Sequence, residues 1–71
     1  MNLNEAVSAL ANYEAFSVYL AYIKGMREQG IADMHAAPTE TLQQISGRIL
    51  AYNDILAMSD SERVFRIHRK D

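Results

Sequence analysis

The sequence predicts an all-α protein of one domain, residues 1–71: an antiparallel helical hairpin, with helices over about 4–29 and 39–58, followed by a short C-terminal helix or an extended tail. Three observations predict it. Apolar residues recur at steps of three and four along both long segments. Gly30 and the single proline, Pro38, fall between those segments. Near the end, Ser59 and Glu62 have the S-x-x-E spacing of a capping box, which favours a third helix over about 60–68.

In the first helix, Asn4 can cap the start and Glu5 suits the positive end of the helix dipole. Gly30 can close it in a left-handed cap. Such a helix is about 39 Å long. Its apolar stripe runs Leu3, Leu10, Tyr13, Phe16, Leu20, Ile23. From Tyr13 onward Val18, Tyr19, Tyr22 and Met26 fall on the other side of the cylinder. The second half is thus apolar over more than half its circumference, and such a helix is usually buried by more than one neighbour.

Residues 30–38 form the connection, with room for a helical turn of their own. Pro38 or Thr39 opens the second helix, because proline is tolerated in a first turn. The stripe Leu42, Ile45, Ile49, Tyr52, Leu56 is a heptad-like seam suited to the first helix. Opposite the seam runs Gly47-x-x-x-Ala51-x-x-x-Ile55-x-x-Met58. A glycine inside a helix costs about 1 kcal/mol relative to alanine. Two readings account for Gly47. Either small residues one turn apart admit a second partner's backbone, or Ser46-Gly47 marks a kink between shorter helices.

Residues 59–71 are a basic segment. The last Val64-Phe65-Arg66-Ile67-His68 also alternates, so an extended strand adding to a neighbour's sheet is the alternative to a helix. Charge is divided along the chain. Residues 1–62 carry three basic against eight acidic residues, a net of −5; residues 63–71 carry Arg63, Arg66, Arg69 and Lys70 against Asp71, a net of +3. Four roles fit this basic tail: complementing a helix C-terminus, pairing with the acidic body, clasping an acidic neighbour, or gripping phosphates, for which four charges are a small footprint.

Several classes of function are disfavoured. There is no cysteine, hence no disulfide and no thiolate metal site. His35 and His68 have no second histidine at ligand spacing, and Asp33-Met34-His35 reads as a loop facing water. None of Ser17, Ser46, Ser59 and Ser61 lies in a G-x-S-x-G elbow, and the three glycines are too far apart for a phosphate loop. An enzyme is not expected, and no cofactor is implied. The most apolar run, residues 15–23, is far shorter than the about 20 residues a membrane span requires. The opening Met1-Asn2-Leu3-Asn4-Glu5-Ala6-Val7 lacks the positive region of a secretion signal. A soluble, cytoplasmic-type protein with no membrane role is the expectation.

A core this small rarely supplies more than about 3–5 kcal/mol, so association is the remaining staple. Tyrosine and methionine are enriched in interfaces. Tyr13 and Tyr52 lie on the seams and read as core. Tyr19, Tyr22 and Met26, with Gly47, Ala51, Ile55 and Met58, read as a protein interface, and Arg63, Arg66, Arg69 and Lys70 as a basic contact.

Residues 42–56, L-x-x-I-x-G-R-I-L-x-Y-x-x-I-L, in a small acidic hairpin with a charged tail, resemble small helical proteins of tailed-bacteriophage structural gene cassettes. The resemblance covers about a fifth of the chain and implies a minor virion or assembly component, located in the virion or the host cytoplasm, with no catalytic residues. The function expected is that of a non-enzymatic subunit that self-associates or docks on a larger assembly. A small regulatory protein that inhibits a partner enzyme is one alternative, and a nucleic-acid binder acting through the basic tail is another.

Overall fold

The computed structural model describes residues 1–69 and contains four helices: α1 Leu3–Leu10, α2 Glu14–Met34, α3 Thr39–Met58 and α4 Ser61–Ile67. The described residues contain no strand, so the last segment is helix and not an extended tail.

The hairpin is α2 against α3, joined by residues 35–38. Its antiparallel register is read from contacts that run in opposite directions along the two helices. Gly30 faces Ile49, Arg27 bonds Asn53, and Ile23 and Leu20 share the core with Leu56. The seam is as expected: Leu56 is buried, and Leu42, Ile45, Ile49 and Tyr52 are half-buried. Pro38 is the cap residue of α3, and the Thr41 hydroxyl donates to its carbonyl at 2.9 Å.

Gly30 is not a left-handed cap. Helix α2 passes through it to Met34, with no positive φ at any glycine. The glycine matters for another reason: a Cβ there would lie 3.2 Å from Ile49 Cγ1, so a larger residue would have to displace that side chain. The missing side chain lets α3 approach closely. Nor does Gly47 break α3, which is continuous through it.

The helix expected over 4–29 is two helices. Asn2, not Asn4, caps the first: its Oδ1 accepts from the Glu5 N–H at 2.8 Å. Helix α1 closes at Ala11, and Tyr13 is extended at φ −92°, ψ 124° as the cap residue of α2. The reason for the break lies 57 residues away. His68 Nε2 sits 2.9 Å from the Ala11 carbonyl oxygen that the break releases. A carbonyl only accepts, so Nε2 carries the proton. Ala11, 2% exposed, thereby joins the core with Val64 of α4. Tyr13, expected in the core, is 64% exposed because it turns the corner, and Leu3 and Leu10 are exposed as well.

The expected Ser59–Glu62 capping box does not form. Only Ser59 and Asp60 separate α3 from α4, so the Ser59 N–H is used to close α3 on the Ile55 carbonyl. Asp60 then reverses the chain in the left-handed region, φ 49°, ψ 52°, without a side-chain cap bond. Val64 brings α4 onto the core.

The buried core is Ala11, Leu20, Ile23, Leu56 and Val64, with Phe16, Tyr52, Ile55 and Phe65 packed against it. Burying one such aliphatic side chain contributes about 1.5–3 kcal/mol. A few of them carry most of the stability.

The two glycines should respond in opposite ways. Gly30→Leu is expected to cost about 1–3 kcal/mol by overpacking against Ile49. Gly47→Ala is expected to stabilise by about 0.5–1 kcal/mol through helix propensity alone. Urea unfolding of each variant measures both. His68→Ala is expected to cost about 1–3 kcal/mol, since it leaves the Ala11 carbonyl unpaired. Amide exchange should then rise in residues 3–11 before it rises in α3.

Candidate interaction surface

The residues expected at an interface sit in two groups. Tyr19, Tyr22 and Met26 follow one another along one side of α2, flanking the buried Leu20 and Ile23. They are 54%, 66% and 38% exposed, next to Val18 at 64%. Two turns of tyrosine ring and a thioether thus stand on the surface with no partner helix over them.

The second group is on α3. Gly47 and Ala51 are exposed, and Met58 is 59% exposed. A Cβ on Gly47 would meet nothing within 4 Å. No contact among the described residues explains this glycine. It lies in an open hollow of ≈ 420 Å³ with Met34, Leu42, Gln43, Ser46 and Leu50. None of the α2 tyrosines lines that hollow. Ile55, expected on the same outer side, is half-buried and packs against the core instead. That core includes Val64 of α4, which packs near the end of α3.

Of the basic residues, Arg63 and Arg66 are exposed on α4, on the side away from the buried Val64; Arg69 is exposed just beyond the helix. Lys70 lies outside the described residues. Lys24 is exposed, with its Nζ 5.6 Å from the centroid of the Phe65 ring. That cation–π contact ties α2 to α4.

Sequence reasoning missed the polar crevice where α2, α3 and α4 meet. Arg27 donates from Nη1 to Asn53 Oδ1 at 3.2 Å, while its Nε is buried with no hydrogen-bond partner. Asp60, Ser61 and Glu62 line the same crevice. Once the register pairs Ile49 with Gly30, the Arg27–Asn53 bridge follows from helical geometry. The left-handed Asp60 and the His68–Ala11 bond have no such signal.

His35 caps α2 and is exposed, and His68 is occupied by the Ala11 carbonyl. Among the described residues, no group of three or more His, Asp and Glu is placed to hold a metal ion. No helix among them is long and apolar enough to cross a membrane. The chain matches no family model, no curated protein and no solved structure.

The exposure of the tyrosines makes a direct prediction. Tyr19→Ser with Tyr22→Ser should change the stability of the isolated chain by no more than about 0.5 kcal/mol per site, as for surface positions generally. A loss of several kcal/mol in urea unfolding would make them core residues instead.

Proposed function

We propose that this chain is a non-enzymatic structural or interaction subunit that self-associates or docks on a larger assembly. One observation carries the reading. Among the described residues, thirteen large apolar side chains are exposed, against five residues in the buried core. Exposed apolar residues are ordinary when scattered. Here Val18, Tyr19, Tyr22 and Met26 lie together on one helix, and Met34, Leu50 and Gly47 around one hollow. Contiguous apolar patches mark association surfaces. A core of five residues also leaves the fold in need of burial from outside.

The finer reading, a minor virion or assembly component acting inside the host cell or in the virion, rests on the phage-cassette resemblance of residues 42–56 alone. Inhibition of a partner enzyme would use the same surfaces. Nucleic-acid binding is a separate reading, favoured by the exposed Arg63 and Arg66 on α4. The acidic remainder of the chain opposes it.

The experiment is the mass in solution, by size exclusion with light scattering, over a range of protein and salt concentrations. A defined oligomer is expected. Gly47→Leu is expected to weaken it while circular dichroism still reports full helicity. A folded monomer at every concentration defeats self-association. Affinity for nucleic acid that falls steeply with salt and vanishes without residues 63–71 would favour the other reading.

A further inference from the structure

The accessible surface of the chain is 5399 Å². A compact monomer of this mass exposes about 4400–4500 Å². The excess, on the order of 900 Å², is close to the roughly 800 Å² that each side of a standard protein interface buries. The radius of gyration agrees: it is 14.3 Å, against about 11 Å for a compact chain of this length. The surplus surface is therefore of the size that one partner contributes to a standard interface; shared between two faces of one chain, it leaves about half that area for each contact, at the small end of specific interfaces.

Some charges on the outer surfaces also have no ion pair among the described residues. Arg63 and Arg66 are exposed on the outer side of α4, and neither forms an ion pair with a described carboxylate. Ile67, 46% exposed, stands beside them. On the outer side of α3, Asp54 is exposed and equally without an ion pair. One turn before it is Leu50, 62% exposed, and one turn before that is the open Gly47. One surface carries two arginines beside a single exposed carboxylate, Glu62, a net positive charge, and has an apolar edge. The other is anionic with an apolar edge and a gap. Both belong to the same chain, so every copy carries both halves of the contact.

We propose that copies of this chain associate head to tail, with the outer side of α4 (Arg63, Arg66, Ile67) seated on the outer side of α3 (Gly47, Leu50, Asp54) of the next copy. The proposal rests on the self-association reading above and names its interface. Arg66 or Arg63 supplies the planar fork that a carboxylate accepts on two oxygens. Ile67 covers Leu50, and Gly47 leaves room for the incoming helix. The two surfaces differ, so the contact is heterologous and generates a ring or an open filament instead of a two-fold dimer.

Charge reversal tests it. Asp54→Arg alone, and Arg63→Asp with Arg66→Asp, are each expected to weaken association at least tenfold by light scattering. The chain with all three changes is expected to recover to within a few-fold of the original, as is an equimolar mixture of the two separate variants. Asp54→Asn, which removes the charge at constant size, should weaken association by a smaller factor and guards against misfolding of the arginine variant. If the unaltered chain associates while the variants keep its mass, or if neither combination recovers, this interface is wrong and self-association stands on another surface. If the unaltered chain is a monomer at every concentration, the broader reading fails with it.

Discussion

The fold depends on how closely α2 can approach α3, and Gly30 sets that distance. A Cβ at this position would press on the Ile49 side chain at 3.2 Å, tighter than an ordinary carbon contact. With hydrogen there instead, the two helices settle into a register that carries the rest of the molecule. Arg27 comes level with Asn53, and Leu20 and Ile23 with Leu56. The glycine loses helix propensity on the order of 1 kcal/mol, and the seam's packing offsets it. Where a glycine stands in a helix without such a neighbour, as at Gly47, the cost has no internal return.

A two-helix seam has one buried face and no lid. Helix α4 supplies the lid at one end. It returns through a left-handed Asp60, a conformation that asparagine and aspartate tolerate better than most side chains, and places Val64 in the core. His68, its C-terminal cap residue, takes the carbonyl that Ala11 leaves free. The broken first helix and the short last helix are therefore one device. The break exposes an acceptor, the imidazole satisfies it, and a buried alanine is gained. A helix running straight through residue 11 would use that carbonyl internally and would carry Ala11 away from Val64.

What this arrangement leaves outside matters as much as what it encloses. The core needs Leu20, Ile23, Leu56 and Val64, and those positions occupy a single stripe on each helix. Tyr19, Tyr22 and Met26 on α2, and Leu50 and Met58 on α3, are turned away from it. The same separation holds for charge. Arginines on α4 and carboxylates on α3 point outward from different elements, so they do not neutralise each other within one copy. An extended outline, uncovered apolar rings and separated charges are all consequences of a hairpin with too few elements to wrap itself.

The sequence by itself determined the helical class, the bounds of α3 and the seam from Leu42 to Leu56; it left the last segment open between helix and strand. The determined features follow from local period and from one proline, which act whatever the rest of the chain does. The sequence also marked Tyr19, Tyr22 and Met26 as surplus to one seam, since a helix has only so much circumference to bury. Tertiary structure decided the remainder. Residues 11–13 carry no glycine or proline, and the break there exists because His68 and Val64, remote in the chain, stabilise it. Gly30 reads as a stop signal until Ile49 is seen against it. Ser59 reads as a cap until α3 needs its N–H first. Ile55 reads as outward on an isolated helix, and it is half-buried because it packs against the core cluster. At residues 11–13 and at Gly30 a contact between distant residues outweighed a local preference of about 1 kcal/mol or less, and no short window along the sequence contains that contact; Ser59 is decided locally, by its N–H closing on the Ile55 carbonyl.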